Sequence, residues 1–458
     1  MDNPQAIIDE LQRENAELRT QLTAALEANR LLQERLDQLE RVSARQAAPF
    51  RRRESKKVPP ESKKRSGRPP GHPGSHRAVP TDIDEDINVP LTACPGCGGT
   101  VTNVEPIEQF IEEIPPVRPR VTRLVTYRGC CASCGEVHST HPLQTSTATG
   151  AAKVQLGPRA RAWAISLNKE FGLTMRKTCR VLKQLCGLNL SPGGLALAGQ
   201  RTAKRLEPAH QALITEVRDA AAVFVDETSW YVGEPGHWLW TFTTVDATVL
   251  HVNKSRGRQV VLDMLGEKFA GILVSDCLAA YEGLPYRMHK CIAHHQRAIA
   301  KARDRPDTTD PSYLDQWKLL FTMVNAMWKH RATLGEEEFA RQRGHLEAWL
   351  DGLLKQERTQ PGDVAIQHRI GKRRGAVLGC LDDPAAEPTN NRAERSFRDP
   401  GVIARKISCG NKTERGKAAW ECLTSLAATC RQRGHDFVSW VAANLPLAAT
   451  VTSVPPAR

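Results

Sequence analysis

The sequence contains no apolar run that reaches the ~18 residues a membrane span needs, which argues against a membrane-spanning helix. Its first residues are acidic and polar, so no secretory leader is read there. Acids are the scarcer charge, with 51 Asp and Glu against 64 Lys and Arg, and the formal net charge is +13. Such a balance points to a polyanionic partner, either nucleic acid or an anionic membrane face. The 13 cysteines are odd in number, and four of them form two CxxC pairs. Without an export signal that pattern favours metal ligation over disulfides and predicts a reducing, cytoplasmic compartment.

At 458 residues with 40% hydrophobic content, the chain is long enough for several domains with a sizeable core. Residues 1–44 carry a seven-residue repeat. Leu11, Leu18, Ala25, Leu32 and Leu39 form one seam, and Ile8, Asn15, Leu22, Asn29 and Leu36 the other. Five such heptads predict a coiled coil, and two seam asparagines favour a parallel dimer. A lone amphipathic helix is the alternative. Residues 45–80 read as a linker: Arg51–Arg77 holds ten basic and two acidic residues, too little apolar surface to fold alone. It is either a solvated tether or an arm that neutralises phosphates.

Residues 81–145 are predicted to be a zinc-ribbon-like domain. Cys94-Pro-Gly-Cys97-Gly and Cys131-Ala-Ser-Cys134-Gly have the knuckle form in which four thiolates hold one structural Zn²⁺. Cys130 competes with Cys131. Ile107–Ile114 and Val121–Tyr127 read as strands between the knuckles. Residues 150–210 read as helices in a helix-turn-helix-like, DNA-binding outline, with Thr174 and Ser191-Pro192 as helix starts. Arg176, Lys177, Arg180, Lys183, Arg201, Lys204 and Arg205 make this region basic. The plainer reading is a helical hairpin packed on the core.

The pattern changes near residue 215. Ala221–Val225 is an apolar run ending in Asp226-Glu227. His237–Thr244 and Val249–Val252 are strand-like, Arg258–Leu265 is helical, and Gly271–Val274 leads to Asp276. Three strands, a helix and a fourth strand open a ribonuclease H-like catalytic core in a multidomain α/β chain. There the first and fourth strands are neighbours, so carboxylates at their ends meet. A third acid, Glu394, lies in Asn390-Asn391-Arg392-Ala393-Glu394-Arg395. The intervening stretch is too long for a loop, so a helical insertion is expected over about 300–375. The core spans 215–408, and 409–458 reads as a C-terminal helical region. Three clustered carboxylates repel one another unless a cation is bound. Oxygen ligands suit Mg²⁺ or Mn²⁺, and a pair of such ions serves phosphodiester displacement.

Val225-Asp226-Glu227-Thr228-Ser229-Trp230, His237-Trp238-Leu239-Trp240, Val274-Ser275-Asp276, Cys291-Ile292-Ala293-His294, the Asn390–Arg395 stretch and Arg405-Lys406-Ile407-Ser408 resemble transposases of the insertion sequence 66 type. The resemblance runs over roughly residues 5–440 and keeps the order of segments. It implies Asp226, Asp276 and Glu394 as a DDE-type triad. It also implies a bacterial, nucleoid-associated protein that cleaves insertion-element ends and joins a 3′-hydroxyl to target DNA, with element-encoded helper proteins as possible partners. Two departures stand out. Cys409 occupies a position where glycine is expected, and Cys277 replaces a small residue after the second Asp. A dimeric zinc-containing DNA-binding regulator with an inactive core, and a metal-dependent nuclease or resolvase, are the rival readings.

Several other residues carry two readings each. Cys291 and His294 have metal-ligand spacing, with His289 and His295 nearby, and a structured turn is the equal alternative. Glu227 is expected to face solvent or to support Asp226 from behind, because adjacent strand residues point opposite ways. Trp230, Trp238 and Trp240 read as core before base-stacking surfaces. Arg392, Arg395, Arg398, Arg405 and Lys406 flank the third acid and are expected to touch DNA backbone.

Overall fold

A computed structural model of the chain describes residues 77–146, 154–397, 401 and 403–457, together with scattered positions from 13 to 30. The chain divides into two units, 1–113 and 114–458. In the first, the described positions between 13 and 30 are helical and exposed, Leu18 and Leu22 of the predicted seam among them. The rest of the predicted coiled coil, and the linker up to residue 76, lie outside the described residues. The first knuckle closes with Gly98 N–H on the Cys94 carbonyl at 2.8 Å. Gly98 holds φ +74°, a left-handed conformation that suits glycine.

In the second unit, β1 (Arg128–Cys131) and β2 (Gly135–His138) form an antiparallel hairpin around the second knuckle. Gly135 has φ +72°, the counterpart of Gly98. The strands expected at Ile107–Ile114 and Val121–Tyr127 are not formed; those residues are irregular and mostly exposed. The prolines supply a reason. Pro106, Pro115, Pro116 and Pro119 remove ladder donors around these runs. The strand instead begins at Arg128, beyond the last of them.

Three helices follow: α1 (Pro158–Lys169), α2 (Met175–Cys186) and α3 (Pro192–Arg218). The starts read from sequence are present. Thr174 Oγ1 accepts from Lys177 N at 3.3 Å, and Ser191 Oγ accepts from Gly194 N at 3.0 Å. Gly187 ends α2 in the left-handed region. Ala164, Cys179, Leu182 and Leu195 make a small core among the three helices. α3 does not stop near 210: it continues to Arg218, and its second half enters the main core through Leu206, Ala209, Leu213 and Val217.

The central sheet contains β3 (Ala222–Val232), β4 (Glu234–Thr243) and β5 (Thr248–Asn253), then α4 (Gln259–Leu265), β6 (Ile272–Ser275) and β7 (Arg287–Lys290). Its strand order is β5-β4-β3-β6-β7. The first three strands are antiparallel, and β3–β6 and β6–β7 are parallel. The expected contact of first and fourth strands is therefore present. Trp230 and Trp240 are core residues on opposite faces of the sheet, and Trp238 is partly buried in the cluster that holds Trp240.

Between β7 and the third acid lie α5 (Ile292–Arg303), α6 (Ser312–Lys329), α7 (Glu336–Lys355), α8 (Pro361–Gly371) and α9 (Arg374–Val377). They form their own core around Trp317, Phe321, Leu350 and Ile370. The helical insertion is thus as expected in kind, but it starts at residue 292. The chain returns through α10 (Asn391–Phe397) and α11 (Ile403–Ser408), then ends with α12 (Glu414–Gln432) and α13 (Phe437–Asn444). All 13 cysteines are free. Among the described residues no helix is long and apolar enough to cross a membrane.

Helix α12 covers the edge strand. Thr248 N donates to Thr429 Oγ1 at 3.1 Å, Leu250 N to Ser425 Oγ at 2.9 Å, and Val252 N to the Glu421 carboxylate. The acceptors recur every four residues of helix and the donors every two of strand. Those steps are about 6.0 Å and about 6.6 Å, so one helix face can satisfy a row of otherwise open edge donors. Ser425→Ala leaves the Leu250 N–H buried without a partner. It is expected to cost about 1–3 kcal/mol in urea unfolding, with the m-value unchanged. Cys409 has φ +59°, and it stands where glycine was expected. Cys409→Gly is expected to stabilise the chain by about 1 kcal/mol in the same measurement.

Candidate active site

Asp226 lies within β3, which runs on to Val232 instead of ending there as expected, and Asp276 immediately follows β6, the neighbouring strand. β3 and β6 pair with Phe224 opposite Val274. Each aspartate lies two residues further along its own chain, so the two are level. Strand side chains alternate, which puts Asp226 on the face of the sheet that carries Phe224. That face is covered by Ala386 and Ala393. Ala393 is fully buried in α10 and immediately precedes Glu394. Thr241 of β4 also meets Ser396 of α10, hydroxyl to hydroxyl at 2.8 Å. The sheet register and one short helix thus bring the three acids to one face of the sheet, where the charges of Asp276 and Glu394 act on Asp226, while their ligand oxygens do not all lie within 4.8 Å of one another.

Their electrostatics agree with that placement. Asp226 is half-buried. Burial first, then the negative charges of Glu227, Asp276 and Glu394, push its carboxyl up to about 8, against a backbone hydrogen bond that lowers it. That bond is from Glu227 N to Oδ1, at 2.9 Å. Asp276 Oδ1 similarly accepts from Leu278 N at 2.8 Å. Glu394 is about one-third exposed, and Arg297 of α5 reaches its Oε1 at 3.4 Å. An oxygen-only donor set with this much mutual repulsion fits a hard divalent cation. Such an ion would offset both the burial and the neighbouring negative charges that raise Asp226.

The segment before α10 is anchored by residues that the spacing argument read differently. Asn390 is fully buried. Its Nδ2 donates to the Val225 carbonyl at 2.8 Å, next to Asp226, and its backbone N–H donates to Cys291 Sγ at 3.1 Å. His289 Nε2 meets the Pro388 carbonyl at 3.0 Å, and Ile292 N donates to the same oxygen at 2.9 Å. Cys291 and His289 therefore tie the third-acid segment to the end of β7. Burial pushes the Cys291 thiol upward. His294 lies on the acid side. Arg297 Nη2 is 3.2 Å from its Nε2, and burial and Arg297 lower the imidazole against the pull of Asp276 and Glu394. His295 is buried and stacks on Phe321.

Behind the sheet, Glu227 is buried rather than solvent-facing. Arg256 donates to its Oε1 at 3.0 and 2.7 Å, and the Tyr281 hydroxyl donates to Oε2. Lys290 is buried as well. Its Nζ donates to Ser275 Oγ at 3.0 Å and lies 5.2 Å from the Tyr281 ring centre. Burial lowers this amine to about 8, against the pull of Cys277 and Asp276. Cys277 itself is half-buried, with Sγ 3.9 Å from His295 Nε2.

The flanking basic residues divide. Arg395 and Lys406 are exposed. Arg392 turns inward to Glu387 and the Val245 carbonyl, and its guanidinium lies 5.5 Å from the Phe224 ring centre. Arg405 donates to Thr228 Oγ1 at 2.6 Å. Arg398 lies outside the described residues. Sequence reasoning assigned no role to Asn390, Arg297, Tyr281 or Lys290. The nearest signals were the Asn390-Asn391 pair inside a quoted motif and the i, i+3 spacing of His294 and Arg297 on one helix face.

The raised Asp226 carboxyl gives a pH test. Between its ordinary value near 4 and about 8, the metal-free folded chain holds a proton that the unfolded chain has lost. Stability therefore falls as pH rises through this window. Asp226→Asn is expected to raise the melting temperature of metal-free protein at pH 8 by at least about 2 °C, with no gain at pH 4. Scanning calorimetry with chelator at both pH values makes the comparison.

A model of the family described as Transposase IS66 family matches residues 153–419, more than half of the chain. Among curated proteins, the "Uncharacterized protein y4jD" of Sinorhizobium fredii (strain NBRC 101917 / NGR234) is 24% identical over 388 residues, spanning 76% of this chain and 73% of that protein. With the family match covering the three helices, the sheet, the helical insertion and all three acids, the chain belongs to the transposase IS66 family.

Proposed function

We propose that the chain cleaves the ends of an insertion element and joins the freed 3′-hydroxyl to target DNA, with Asp226, Asp276 and Glu394 as its catalytic acids on a ribonuclease H-like sheet. The observation that carries this reading is the shared register of Asp226 and Asp276 on parallel neighbours, with the Glu394 helix on the same face. The three carboxylates would hold Mg²⁺ or Mn²⁺. Bound there, such ions activate an attacking oxygen and stabilise a leaving one.

The protein's own groups prepare that chemistry. The Glu227 and Leu278 N–H groups aim one oxygen of each aspartate. Arg297 steadies Glu394, and the Asn390–Val225 bond fixes the distance between its helix and β3. Exposed Arg395 and Lys406 are the flanking cations best placed to meet phosphates. Arg392 and Arg405 support the site through internal bonds, which narrows the DNA-contacting set expected from sequence. On α2, Arg176, Lys177, Arg180 and Lys183 are all exposed. We assign them to recognition of element ends.

Each cysteine knuckle is shaped as half of a thiolate zinc site. Backbone N–H groups of Gly96 and Cys97 lower Cys94, and those of Cys134 and Ser133 lower Cys131. Cys94 with Cys97, and Cys131 with Cys134, would each supply two thiolates to structural zinc. The heptads of residues 1–44 would pair two subunits.

The test uses full-length protein, Mg²⁺ and DNA carrying the sequences that flank the gene. Wild type is expected to nick this DNA and transfer its 3′-end to a second duplex. Asp276→Asn and Glu394→Gln should each lower both steps by at least about 100-fold, while DNA binding persists. Cleavage undiminished in either variant would contradict the assignment of that acid. Cleavage without joining would favour a nuclease.

A further inference from the structure

A second cluster of ligating side chains lies away from the three acids, where α3 meets α12. Glu207 and His210 are three residues apart on α3, and Cys422 projects from α12. One ligand atom from each lies within 4.8 Å of the other two. His210 is nine-tenths buried, and its Nε2 has no hydrogen-bond partner. Leaving such a buried nitrogen unpaired is unfavourable, so the site is incomplete as a purely protein structure. Cys422 is almost fully buried, and its Sγ has only the Ala203 carbonyl at 3.6 Å as a weak partner. Glu207 is exposed, and Gln211 Nε2 donates to its Oε1 at 2.6 Å.

We propose that Glu207, His210 and Cys422 form a binding site for Zn²⁺ or a similar borderline-soft divalent cation that clasps α3 to α12. A Glu-x-x-His pair on one helix presents both ligands to one side. One imidazole, one thiolate and one carboxylate are a donor set suited to zinc rather than to the hard ions of the three-acid site. The charges of cation, thiolate and carboxylate cancel, which removes much of the cost of burying an ion. Exposed Glu207 leaves the fourth position on the solvent side, where water can complete a tetrahedron. Nearby Glu421 is engaged elsewhere, accepting from Val252 N and lying 3.3 Å from His251 Nδ1, so it does not compete for the ion. The clasp would join the helix that leads from the basic helical region to the helix that covers the sheet edge.

The experiment measures zinc per chain by atomic emission in full-length protein after gel filtration. Wild type is compared with His210→Gln, Cys422→Ser and, as a control from the same helix outside the cluster, Cys430→Ser. His210→Gln and Cys422→Ser are each expected to lose one equivalent that Cys430→Ser retains. Equal zinc in all four proteins would overturn the site. Because buried substitutions can disturb folding, exposed Glu207→Gln supplies a second measurement. It is expected to weaken the most labile zinc equivalent at least about tenfold in chelator competition, and an unchanged affinity would also overturn the proposal.

Discussion

Parallel pairing of β3 with β6 is the constraint from which the site's geometry follows. The pairs Ala222–Ile272, Val223–Leu273 and Phe224–Val274 keep a constant offset. Because strand side chains alternate, that offset decides which acids can share a space and which cannot. A slip of one residue would turn Asp276 away from Asp226 and bury it among the apolar residues of the opposite face. Register is held on both faces. Phe224 and Val274 pack under α10, while Val223, Val225 and Leu273 pack into the main core. The same alternation sends Glu227 to the rear, where Arg256 and Tyr281 satisfy it.

The third acid reaches this place across an insertion with its own core, so local packing alone cannot position it. Hydrogen bonds at the return point do so. His289 and Ile292 hold Pro388, Cys291 holds the Asn390 backbone, and Asn390 holds Val225. Residues at the entry of the insertion thereby fix its exit. The C-terminal helices complete the support from outside, since α12 satisfies edge donors of β5 and Arg205 of α3 donates to the carbonyls of Asn444 and Pro446.

Much of this was legible in the sequence because it rests on short-range rules. The apolar runs before Asp226 and Asp276 announced two strands, although β3 runs on through Asp226 to Val232, and Thr174 and Ser191-Pro192 marked helix starts that the structure keeps. The glycine expected at Cys409 corresponds to a left-handed backbone. Long-range facts were not legible. Nothing near Asn390 indicates a bond to Val225, 165 residues away. The CxxH spacing at Cys291–His294 fitted a ligand pair and a structured turn equally; Cys291 accepts the Asn390 backbone N–H, and His294 meets Arg297, which also reaches Glu394. Arg392 looked like a surface cation until Glu387 and the Val245 carbonyl claimed it. β-rich composition at Ile107–Ile114 and Val121–Tyr127 was outweighed by surrounding prolines, a balance that depends on which neighbours are available to pair.

The most direct measurement of the shared acidic pocket is anomalous diffraction from crystals of the full-length chain soaked in Mn²⁺. The account expects a manganese peak bridged by carboxylate oxygens of Asp226 and Asp276, with Glu394 at the same centre or one adjoining it. Manganese bound elsewhere, with Asp226 and Asp276 on no common ion, would contradict it.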